Sequence, residues 1–161
     1  MIRTGRAGQS CASSVVLNKI PATHARAIFM KVELRYAPLP LIGAIAVHYW
    51  FVVYDEAGEC NRWEVWQSPN AGGTSYDHVH CDLKAPEANV GGGPTRLAAA
   101  WQGAQAERIA HVLASADKYP QRRRYRYWPG PNSNSFVAWV LREAGIDYAL
   151  GWRGIGRKWR T

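Results

Sequence analysis

Polar and apolar positions alternate along the first half of this chain and recur at helical spacing in the second. Ile28, Met30 and Val32 fall on one side of residues 26–34, which predicts a strand that Pro38 and Pro40 end. Residues 42–54 (IGAIAVHYWFVVY) are dense in β-branched and aromatic side chains and predict a long, mostly buried strand. Asp55-Glu56-Ala57-Gly58 is a turn, so residues 46–54 and 60–67 should form a hairpin. A weaker alternation spans residues 76–83. Residues 86–94 (PEANVGGGP) read as a flexible connection without phosphate-loop spacing. Ala106, Ile109, Ala110, Leu113 and Ala116 define one face of a helix over 103–116. A short strand at 124–128 then leads to a second helix, whose Phe136, Val137, Val140 and Leu141 precede the stop signal Gly145. The pattern predicts a loosely ordered segment over residues 1–25 and a single α+β domain over 26–161, with strands and helices segregated.

The composition fits one globular domain: 161 residues, 47% hydrophobic and 20% charged. Eight Trp and eight Tyr against three Phe favour a cleft or interface, because these rings want one buried end and one wet end. From Lys118 onward, ten basic residues face only Glu143 and Asp147, so the entire net charge of +8 resides at that end. Such an end suits an anionic partner such as a lipid surface, an acidic ligand or nucleic acid, although no nucleic-acid-binding module is apparent. Cys11, Cys60 and Cys81 lack metal-ligand spacing, and neither a metal nor a cofactor is expected. No apolar run is long enough to span a bilayer and no signal peptide is apparent. The default expectation is the cytoplasm, with peripheral attachment to a membrane compatible with the basic end.

Chemistry is most concentrated in Trp128-Pro129-Gly130-Pro131-Asn132-Ser133-Asn134-Ser135-Phe136-Val137. The prolines and glycine fix a tight approach, and Asn132 or Ser133 can cap the helix that follows. A hydroxyl there sits at the positive end of a helix dipole, beside unpaired N–H donors. Ser133 is therefore the candidate nucleophile, with its own amide and that of Asn134 as oxyanion donors. Asn132, Asn134, Ser135, Trp50, Trp66 and Trp128 are the candidate residues around it. The plainer reading is a capped structural helix. A hydroxyl nucleophile needs a base. His48 lies in the most apolar strand, where a polar ring must be partnered or face a cleft. Glu64, on the returning arm of the hairpin, is the candidate orienting group, and otherwise an ion-pair partner of Arg62. His78 and His80, two residues apart on one predicted strand, are alternative orienters.

His48-Tyr49-Trp50-Phe51-Val52-Val53, Arg62-Trp63-Glu64-Val65-Trp66, Tyr119-Pro120 and Pro129-Gly130-Pro131-Asn132-Ser133-Asn134 together resemble a bacterial family, domain of unknown function 3750. More distantly, Asn132-Ser133-x-x-Phe136-Val137 is similar to the nucleophile loop of NlpC-type cysteine peptidases. In their permuted branch, which includes lecithin:retinol acyltransferase-like proteins, a strand histidine precedes the nucleophile. That resemblance implies a permuted papain-like arrangement: an antiparallel sheet packed on a nucleophile-bearing helix. It also implies a hydrolase or acyltransferase acting on an amide or ester of a peptide, protein or lipid. Ser133 stands where those enzymes carry a thiol. The alternative is a non-catalytic module holding a peptide or anionic ligand in the same cleft.

Overall fold

A computed structural model describes residues 30–159 of the chain, so the expectation of a loose segment over 1–25 lies outside the described residues. The elements are β1 (Lys31–Pro38), β2 (Val47–Tyr54), β3 (Cys60–Val65), β4 (Thr74–Tyr76), β5 (Val79–Cys81), β6 (Arg96–Gln102), α1 (Ala104–Leu113), a 3-10 turn (Ala116–Lys118) and α2 (Ser133–Glu143). The strands form one open antiparallel sheet in the order β4-β5-β3-β2-β1-β6. With its helices following its strands, the protein has a mixed α+β fold. No helix among the described residues is long and apolar enough to cross a membrane.

Side-chain alternation divides the sheet into two faces. Val32 and Leu34 of β1 and Val47, Tyr49 and Phe51 of β2 enter the main core with Ile109, Leu113, Phe136, Val137 and Val140 of the helices. The opposite face carries Ala37, Trp50 and Val52 in a smaller cluster with Val90. Residues 85–90 cover that second face. The Trp50 indole N–H donates to Pro86 O at 2.9 Å, and Arg62 Nη1 donates to Ala85 O and Ala88 O at 3.0 and 2.6 Å.

The α2 boundaries follow from local chemistry. Asn132 caps it, and Gly145 at φ +62° ends it in a Schellman turn, with Gly145 N–H on Arg142 O and Ile146 N–H on Leu141 O.

Several sequence expectations are corrected. The strand expected over 42–54 begins only at Val47, and Leu41, Ile42 and Ile45 sit in exposed turns. The strand expected over 76–83 is two short ones, β4 and β5, because the backbone reverses at Asp77, whose φ is +59°. Residues 124–128 form no strand. The alanine-rich segment of β6 carries no β signal, yet pairs with β1 through a bulge that skips Ala98.

Candidate functional site

The four polar side chains from Asn132 to Ser135 are all buried, and three of them are committed to the fold. Asn132 Oδ1 accepts the N–H groups of Asn134 and Ser135 at 3.0 and 3.4 Å. Ser135 Oγ accepts the Asn132 N–H at 3.2 Å and donates to Gly156 O at 2.8 Å. Asn134 reaches into the sheet. Its Oδ1 accepts the Tyr49 N–H at 3.1 Å, while its Nδ2 donates to Val47 O at 3.0 Å and Ile155 O at 2.8 Å. The β2–β3 ladder ends at the Phe51–Trp63 pair, so Asn134 satisfies the β2 edge that β3 leaves open. The helix N-terminus is thereby tied to both neighbours of His48. The Ser133 hydroxyl has only a long contact, 3.4 Å, to Asn134 Oδ1. Its N–H has no partner among the described residues. The Asn134 amide, expected as a second oxyanion donor, is instead consumed by the Asn132 cap.

His48 and Glu64 are brought together as the hairpin predicts. His48 Nε2 lies 2.9 Å from Glu64 Oε2, both side chains buried. An ionised carboxylate can only accept, so Nε2 carries a proton, and in the neutral ring this contact selects the tautomer whose Nδ1 holds the lone pair. Nδ1 bonds to no described residue. Behind the pair, Arg62 Nη2 donates to the same Oε2 at 2.8 Å, and Arg62 Nε faces Oε1 at 2.8 Å in a charge contact rather than an aligned hydrogen bond. The guanidinium lies 4.1 Å over the Trp50 ring and is wholly buried. Burial works to raise the Glu64 carboxyl, but the His48 and Arg62 contacts outweigh it and hold its pKa below the ordinary carboxylate value. Arg62 and His48 thus share the Glu64 carboxylate, which fixes the orientation of the imidazole.

His48, Trp66, Gln67, Tyr125 and Tyr127 line a cleft of about 280 Å³, with Leu39, Pro40, Ile42 and Val90. Burial pushes the Tyr125 hydroxyl up to about 12, so it is neutral at physiological pH. Tyr127 donates to Gln67 Oε1 at the same cleft. Trp66 is where expected, its ring 5.5 Å from that of His48. Trp50 is not a wall of this cleft but is buried beneath Arg62, and Trp128 lines a separate groove with Ile155, Arg157 and Lys158. His78 and His80 do not act behind His48. His78 is a turn residue whose Nδ1 meets Trp66 O at 2.9 Å. His80 is held by Ser68 O at 3.1 Å and by Ser75 Oγ at 2.9 Å. Ser133 and His48 share no hydrogen bond, and Ser133 is only 4% exposed. No three His, Cys, Asp or Glu side chains among the described residues are grouped to hold a metal.

Sequence reasoning missed Gln67, Tyr125 and Tyr127, and the clamp made by Asn134. The i, i+2 spacing of the two tyrosines was an available signal. The chain belongs to the family described as protein of unknown function (DUF3750), whose model matches residues 29–159. No curated protein and no solved structure matches it.

Proposed function

We propose that this protein is a serine-dependent hydrolase or acyltransferase acting on an amide or ester bond, in a permuted papain-like arrangement. The observation that carries the reading is the Asn134 clamp, which holds the end of α2 bearing Ser133 against both neighbours of a histidine whose tautomer Glu64 sets. Alternation along β2 puts His48 on the sheet face of Trp50, opposite the face that receives α2. Ser133 Oγ must therefore leave Asn134 and turn past the open β2 edge to give its proton to His48 Nδ1 as its oxygen bonds to the substrate carbonyl carbon. The Ser133 N–H, at the positive end of α2, receives the oxyanion. Collapse breaks the bond to the leaving amine or alcohol, which takes the proton from His48. Water or a second acceptor then releases the acyl group by the same steps in reverse. Peptide, protein and lipid acyl donors are all chemically suitable.

A second reading is a non-catalytic cleft. It is favoured by the burial of Ser133 and by the contact of its hydroxyl with Asn134 rather than His48. A fluorophosphonate probe distinguishes the two. Catalysis requires labelling at Ser133 that drops sharply in His48→Ala, and a Ser133→Cys thiol that alkylates readily at neutral pH. A wild type that resists the probe, with Ser133→Cys no more reactive than an ordinary exposed thiol, establishes the binding cleft instead.

A further inference from the structure

The loop between β1 and β2 presents three aliphatic side chains to solvent: Leu41 at 106% exposure, Ile42 at 46% and Ile45 at 55%. Scattered exposed apolar residues are ordinary, but these share one turn. The backbone beneath them is unusual. Leu41 has φ +63°, and the Ile42 N–H bonds Pro40 O at 2.7 Å, a γ-turn of the strained hand. The fold therefore holds a leucine in a costly conformation and buries none of it. The loop is braced as well. Leu39 N–H bonds Ala46 O at 3.2 Å, Ala46 N–H bonds Ile42 O at 2.9 Å, and Arg153 Nη2 donates to Gly43 O.

Arg153 brings a second set of groups to this rim. Trp152, its neighbour, is 66% exposed. Arg157 donates to Trp152 O and lines a shallow groove with exposed Trp128 and Lys158. Exposed Arg123, Arg124 and Arg126 precede Trp128 in the chain, within the end that holds the whole charge excess.

We propose that this rim docks on an anionic phospholipid bilayer. The loop aliphatics would enter the acyl boundary, Trp152 and Trp128 would lie at headgroup level, and the basic residues would meet anionic lipid. Lipid is favoured over nucleic acid because Leu41, Ile42 and Ile45 gain by leaving water, whereas phosphates and bases offer aliphatic side chains little. The inference does not depend on chemistry at Ser133.

Co-sedimentation of the full chain with vesicles tests it. One set is phosphatidylcholine alone, and the other contains in addition about a third phosphatidylserine. Binding should favour the anionic vesicles and fall as salt rises. Leu41→Asp with Ile45→Asp should lower the partition coefficient on the order of tenfold or more, because two apolar insertions are lost. Thermal unfolding should stay close to wild type, since Leu41 is fully exposed and Ile45 more than half exposed. Leu41→Gly should raise stability by relieving the positive φ and still weaken binding, separating docking from folding. The proposal is overturned if wild type ignores both vesicle types, or if the double Asp variant binds as well as wild type. It is also overturned if the patch proves to hold a second copy, seen as a dimer that Leu41→Asp dissociates.

Discussion

Replacing Glu64 with Gln isolates the buried charge cluster behind His48. The substitution preserves shape and tests what the charge does. Glu64 Oε2 accepts from both His48 and Arg62, at 2.9 and 2.8 Å, while Oε1 faces Arg62 Nε at 2.8 Å. If the new amide oxygen takes the Oε2 position, the NH2 group must point at the Nε–H, donor against donor. If it takes the other position, both Oε2 bonds are lost. Either way Arg62, wholly buried, keeps its charge without a counter-ion. Stranding one partner of a buried pair costs about 3–5 kcal/mol. At roughly 3 °C per kcal/mol for a chain of this size, the midpoint should fall by about 10–15 °C. Urea unfolding followed by tryptophan fluorescence gives the free energy, and an unchanged slope confirms that the same surface is exposed.

The pH dependence gives a second readout of the same substitution. The folded-state pKa of Glu64 lies below its unfolded value, so protons favour the unfolded chain. Its contribution is complete above the ordinary carboxylate value of 4.5 and is lost as pH falls through the lower folded value. The Gln variant should therefore be weakened most at neutral pH and approach wild type in acid. A loss of under about 1 kcal/mol at neutral pH, with the native fold retained, would refute a buried charge pair at this position.

Two further substitutions probe the clamp and the cap. Asn134→Ala strands the Tyr49 N–H and the Val47 and Ile155 carbonyls, and at about 1–3 kcal/mol per buried unpaired group it should cost at least about 3 kcal/mol in urea unfolding. Gly156→Ala should be more damaging than Gly58→Ala in thermal melts. Both glycines have positive φ, but only at Gly156 would the new Cβ meet another group, lying 2.6 Å from Asn132 Oδ1, the cap of α2.

Local pattern was sufficient for the β2–β3 hairpin and the α2 helix with its glycine stop, and it narrowed the cap to Asn132 or Ser133 and the partner of His48 to Glu64, His78 or His80, of which the structure shows Asn132 and Glu64. Each depends on neighbours in sequence: a turn, an alternation that puts His48 and Glu64 on one face, and unpaired amides next to an Asn. The α+β class followed from the order of these elements. Tertiary structure alone decided the rest. Alanine-rich β6 becomes a strand because β1 offers an unpaired edge, which outweighs its weak intrinsic preference. Residues 42–46 read as buried strand by hydrophobicity, yet the chain leaves the sheet before Val47, so Ile42 and Ile45 face water. Trp50 and Trp128 both suggested a cleft wall, but Arg62 and residues 85–90 cover the first and the second lines a different groove. Asn134 shows the division most clearly. Its place in the first turn of a helix was legible, but its bonds to Val47 and Tyr49 were not, because they arise only where β3 leaves β2 and exposes backbone groups that a side chain 85 or more residues away can satisfy.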